Sequence, residues 1–176
     1  MVPKKTAHSL VAVLLLVLVL SLTGCGTSGD TAQQSTSQQS TSQQPKFSTV
    51  QKGEVTPAID NAAQVIIAGN DADWATFWNL LHTKYASIPG LPVVDFNENS
   101  IVAVVDAPRP TGGYSIAIDS VQPTSSGIIV KATQTSPGRG CIVTLSLTQP
   151  FHIITVPAFS GAATLELSQV VTTCGP

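Results

Sequence analysis

The chain has 176 residues, with eight Lys or Arg against ten Asp or Glu, a hydrophobic share of 43% and only 10% charged residues. That length allows one core of ordinary size, and the mildly acidic balance argues against nucleic acid as a partner, which calls for a basic face. Its three cysteines raise the question of compartment, and the N-terminus bears on that first.

Lys4 and Lys5 precede an unbroken apolar run from Leu10 to Leu20, after which small and polar residues follow. A spanning helix needs about 20 apolar residues, so this shorter run reads as the core of a cleaved export signal over residues 1–24. Leu22-Thr23-Gly24-Cys25 resembles the lipobox of bacterial lipoproteins. The resemblance implies a diacylglycerol on the Cys25 thiol, cleavage before it, and acylation of the new amino terminus. Two or three acyl chains anchor stably, because each buried methylene contributes about 0.8 kcal/mol and one chain alone is marginal. The expected location is the cell envelope, lipid-anchored to a bacterial membrane with the domain outside the cytoplasm. Gly26 stands where an Asp would resemble an inner-membrane retention signal, which leaves both one- and two-membrane hosts open.

Residues 25–46 are the lipidated cysteine and a tether. Gly, Ser, Thr, Gln and Asp dominate it, and STSQQSTSQQ occupies Ser35 to Gln44, so little there offsets the entropy of ordering. A flexible spacer of that length has a typical span of roughly 25 Å and a full extension of roughly 70 Å.

Residues 47–176 form the domain. Gln64 to Ala68 reads as a strand. Asn70 then precedes Asp71 and Asp73, and Trp74, Phe77, Trp78 and Leu81 fall on one helical face. Aromatic stripes at this spacing are more often core than a ligand-stacking platform, and Pro89-Gly90 lies beyond the helix end. Strand periods follow at Ile101 to Val105, Tyr114 to Val121, Gly127 to Gln134, Ile142 to Leu147, Phe151 to Val156 and Thr164 to Val171. Ser115, Ala117 and Asp119 alternate with Ile116, Ile118 and Ser120, the mark of a sheet with one wetter face. The order predicts an α+β fold, mainly antiparallel sheet, curled or sandwich-like, with one packed helix. With Cys25 acylated, Cys141 and Cys174 remain as an even pair in an exported domain, and a disulfide is expected. Antiparallel pairing of Thr164–Val171 with Ile142–Leu147 would set Cys141 opposite Cys174 and Leu145 opposite Val170.

The segment Arg109-Pro110-Thr111-Gly112-Gly113-Tyr114-Ser115-Ile116 is similar to the signature of the PrcB C-terminal domain family. Trp74, Trp78 and His82 look like that family's helix, Pro137-Gly138 like its later turn, and Pro150-Phe151-His152-Ile153-Ile154 with Pro157 like its last motif. The resemblance covers Ala63 to Pro157; it departs at Ala107-Pro108, where a glycine is expected before the arginine. The family takes its name from a lipoprotein subunit of a bacterial surface serine protease complex. The resemblance implies an exported, non-catalytic accessory or binding domain, with an extracytoplasmic protein such as a protease as partner, and supplies no active site.

The residues themselves point the same way. Gly112-Gly113 permits a sharp turn that would display Arg109 and Tyr114, residue types that dominate binding hot spots, near its tip. A purely structural turn, with Tyr114 on the sheet and Arg109 over its edge, is the plainer alternative. Arg139, between Gly138 and Gly140, would add a second cation. The candidate partner-binding set is therefore Arg109, Pro110, Thr111, Gly112, Gly113, Tyr114 and Arg139. No GxSxG, HExxH or phosphate-cradling loop occurs, and His82 and His152 are the two histidines left to serve as a base. Asp95, Glu98, Asp106 and Asp119 carry no spacing rule that would build a calcium site. No cofactor or metal is expected. Alternatives are a small-ligand or cell-wall glycan binder and, behind it, an undetected hydrolase.

Overall fold

The computed structural model describes residues 46–59 and 62–175, so the expected signal, Cys25 and all of the tether but Lys46 lie outside the described residues. The elements are β1 (Ser48–Val55), β2 (Gln64–Ala68), α1 (Asp71–Leu81), β3 (Asn99–Val105), β4 (Ser115–Thr124), β5 (Gly127–Pro137), β6 (Gln149–Pro157) and β7 (Ala162–Thr172). They build two sheets, β1-β6-β3-β2 and β4-β5-β7, with α1 as the one helix among the described residues. The α+β expectation holds. No helix among the described residues is long and apolar enough to cross a membrane.

Helix α1 starts where its cap residue dictates. Asn70 Oδ1 accepts the Asp73 N–H at 2.9 Å, Asn70 Nδ2 donates to Asp73 Oδ2 at 2.8 Å, and two acids sit in the positive first turn. Its apolar stripe of Trp74, Phe77, Trp78 and Leu81 packs on Ile101, Ala103 and Val105 of β3 and on Phe151 and Ile153 of β6. The intervening residues Val102, Val104, Ile154 and Val156 face the other way, onto Ile116, Ile118, Val121, Ile128, Val130 and Ala132. The four-stranded sheet is thus the middle of three layers, and its central strands are apolar on both faces, whereas β4 and β5 bury one face. Burial of two faces explains why Ile101–Val105 carries no polar residue.

Two expectations need correction. Residues 142–147 form no strand, and β7 does not pair with them; it runs parallel to β5, from Gly127 opposite Ala162 to Pro137 opposite Thr172. β7 takes the open side of β5, and the 142–147 segment instead turns back over the Arg109–Gly113 loop, where the Gly112 N–H donates to Thr144 O. Its apolar residues mimic a strand locally while the ladder that would stabilise one is missing. The disulfide forms all the same, with Cα atoms of Cys141 and Cys174 at 5.0 Å, because both strands of the β5·β7 pair end at that point. β1 is a full strand for which the sequence pattern carried no expectation. It pairs antiparallel with β6, with a register shift between Thr49 and Gln51.

Candidate functional site

The loop between β3 and β4 connects two different sheets, so Arg109–Tyr114 is a crossover and not the tip of a hairpin. Its anchor is Asp106, fully buried at the end of β3. The backbone holds it in place: its N–H donates to Pro150 O at 2.8 Å, and its C=O accepts Gln149 Nε2 at 3.0 Å. Gln149, also fully buried, takes the N–H groups of Ala58 and Ile59 on its Oε1, so one amide joins three segments. The Asp106 carboxylate then meets Arg109 in a two-pronged pair, Nε to Oδ2 and Nη2 to Oδ1, both at 2.8 Å. The Ala107 N–H and the Gln134 amide complete its shell. A buried carboxylate is tolerable only with this degree of pairing and hydrogen bonding.

The guanidinium lies with Cζ 5.1 Å from the centre of the Tyr114 ring, in cation–π range, and its side chain is 25% exposed. Arg109 is therefore held between a carboxylate and a ring. Arg109 and Tyr114 line a pocket of about 80 Å³ with Gln134, Thr135, Ser136 and Gln169, room for little more than ordered water.

The Arg109–Gly113 turn is covered by the 141–148 segment. Arg109 and Thr148 exchange backbone hydrogen bonds at 2.7 and 3.0 Å, Thr148 Oγ1 donates to Thr111 O at 2.8 Å, and the Gly112 N–H donates to Thr144 O at 2.9 Å. Gly113 takes φ +85°, and a Cβ there would stand 2.9 Å from Val143 Cγ1, so glycine is required by both conformation and space. Pro110 is exposed and Thr111 half-buried.

With Val143 and Thr144 turned onto the glycines, Ile142, Leu145, Ser146 and Leu147 face water. Ile142 is 103% exposed, Leu145 92% and Leu147 64%. Arg139 is exposed beside them, and among the described residues it forms no ion pair. The Cys141–Cys174 bridge and the Gly138 N–H to Thr172 O bond at 2.9 Å fasten the preceding turn to β7. Leu147 also borders a shallow groove of about 330 Å³ with Glu54, Val55, Thr56 and Tyr85.

The structure brings together Arg109, Tyr114 and the two glycines in one packed corner, and leaves Arg139 outside it on the rim. Sequence reasoning missed Ile142, Leu145 and Leu147 as surface residues by assigning them to a sheet. The available signal was their enclosure between Gly138-Arg139-Gly140 and Pro150, which leaves little room for a paired strand.

The histidines are structural in their contacts. His152 Nδ1 accepts the Ile118 N–H at 2.8 Å, which requires the neutral ring to carry its proton on Nε2, and that atom faces Thr49 Oγ1 at 2.9 Å. Burial first, then the nearby Lys52 charge, lowers its pKa to about 4 against the opposing pull of Asp119. His82 caps α1 through Nδ1 to Trp78 O at 2.9 Å, with its ring packed 4.2 Å from that of Trp78. Trp74 and Trp78 are buried and donate to Pro92 O and Pro89 O, which removes the exposed platform a glycan would stack on. Three of the carboxylates are engaged separately: Asp95 caps its own turn at Asn97, Asp119 accepts from Thr133, and Asp106 is committed to Arg109. Among the described residues no group of three or more His, Cys, Asp or Glu is placed to hold a metal.

No curated protein and no solved structure matches the chain. The model of the PrcB C-terminal family matches residues 100–157. This stretch runs from β3 through the Arg109–Tyr114 crossover, β4, β5 and the exposed 141–148 segment to the end of β6, and it belongs to the PrcB C-terminal family.

Proposed function

We propose that this protein is a membrane-tethered, extracytoplasmic, non-catalytic accessory module that docks on a protein partner through the 139–147 segment. The observation that carries the reading is the outward row of Ile142, Leu145 and Leu147, held on a base that cannot collapse over them. Exposed apolar side chains grouped on one segment mark interaction sites far more than single ones do. The base is rigid because the Asp106–Arg109 pair, the Arg109–Thr148 bridge and the Cys141–Cys174 bond all converge beneath it. Arg109, Pro110, Thr111, Gly112, Gly113 and Tyr114 act as support, and Arg139 as a rim cation that steers the encounter.

The family name supports an accessory role beside a surface protease, and the partner in this reading is such a protease. The lipid on Cys25 and the tether hold the module at the membrane, where its partner is confined to the same thin layer. The test is capture from mildly crosslinked envelopes with the tethered chain as bait. An extracytoplasmic protease recovered by the wild type, and lost with Ile142→Asp plus Leu145→Asp, supports the reading. Equal recovery by both overturns it.

A further inference from the structure

A sheet edge carries a row of N–H and C=O groups without neighbours, and natural domains blunt such edges to stop unwanted pairing. Three of the four edges here are blunted. β2 has only five residues. β1 is broken by the shift between Thr49 and Gln51 and carries Lys52. β4 is bulged at Asp119, contains Pro123, and gives its Ile118 N–H to His152.

β7 has none of these devices. It runs eleven residues without proline, lysine or any register shift against β5, and it is exposed throughout from Glu166 to Thr172. Its one charge, Glu166, faces Lys131 of β5 at 3.6 Å, so the edge is close to neutral. Leu167, Val170 and Val171 lie on it 40%, 50% and 66% exposed.

We propose that β7 is the pairing edge of a symmetric dimer. Two copies align β7 antiparallel about a two-fold axis at Leu167, and their three-stranded sheets become one sheet of six strands. A two-fold contact must be self-complementary, and this register is. Leu167 meets its own copy, Val170 meets Thr164, Val171 meets Ala163 and Glu166 meets Ser168, all residues suited to cross-strand packing. Centring one residue earlier would set Glu166 against itself, so charge disfavours that register. A near-neutral edge also offers little to draw in a strongly charged foreign strand, which favours a second copy as the occupant.

The experiment uses the full chain in non-ionic detergent, with sedimentation for mass and a short bis-maleimide for proximity. The wild type is expected to sediment as two chains, and Leu167→Lys with Val170→Lys as one. Those lysines could disturb folding, so a second arm uses single cysteines. In the proposed register Leu167→Cys faces its copy with Cβ atoms about 5 Å apart, whereas two Thr164→Cys sites lie about 20 Å apart along the strands. Leu167→Cys should crosslink at least about tenfold more than Thr164→Cys, as that separation requires. Single-chain mass with equal crosslinking at both positions overturns the proposal and leaves β7 to a strand from another protein.

Discussion

Asp106 and Arg109 form the most consequential residue pair in the domain, because the carboxylate is fully buried and, among the described residues, the guanidinium is the one full charge it meets. Removing one member of such a pair strands the other in a low dielectric. Arg109→Ala should therefore lower stability by about 3–5 kcal/mol, visible as a shifted urea midpoint, and Arg109→Lys should recover part of it, since an ammonium cannot reproduce the two-pronged geometry. A loss under 1 kcal/mol would mean that the carboxylate is already satisfied by Gln134 and the Ala107 amide. His152 gives a second prediction at this scale. Its folded pKa of about 4 lies below the ordinary 6.5, so on acidification the unfolded chain takes up the proton first. Stability from this group is complete above about pH 6.5 and is lost progressively as pH falls to about 4, by about 3 kcal/mol. In His152→Gln this part of the slope should disappear from chemical-denaturation curves measured across that window. Neither role was legible in the sequence. Arg109 stood out by type, but only the fold places a buried carboxylate three residues before it, and His152 gave no hint that its ring joins β6 to both β1 and β4.

At the scale of elements, α1 was legible because a 3.6-residue stripe, a capping Asn and two early acids all agree on one helix. β3, β5 and β6 were legible from β-branched residues bounded by turns. β1 was not: STVQKGEV is too polar to stand out, and its stability comes from the β6 edge it covers. The partner of β7 was not legible either, since nothing in AATLELSQVVT distinguishes a parallel from an antiparallel neighbour. The cysteine pairing was right while the strand pairing built on it was wrong, because a disulfide fixes two points and no direction. The bridge ties the chain just past the end of β7 to the turn after β5, so Cys141→Ser with Cys174→Ser should cost about 2–4 kcal/mol. Hydrogen exchange should rise most at the C-terminal half of β7. Uniform loss of protection over both sheets would instead make β7 part of the same cooperative unit as the core.

At the scale of the molecule, two sheets and a helix bury two cores against a shared middle layer, leaving the 139–147 segment as an apolar projection on a braced support. In the proposed reading that arrangement separates folding from docking: the support residues hold the structure, and the outward side chains are free of it. The sequence located the region through its glycines and Arg109. It did not locate the face, since displayed and buried residues alternate there in a way that only the crossover between sheets decides. The most direct test compares partner binding by the full chain with Ile142→Asp plus Leu145→Asp against Val93→Asp, a fully exposed apolar residue on a different loop. The account predicts unfolding midpoints within about 0.5 kcal/mol of wild type for both variants, with partner binding lost in the first and kept in the second. Binding that survives in the first variant, or falls equally in both, would contradict it.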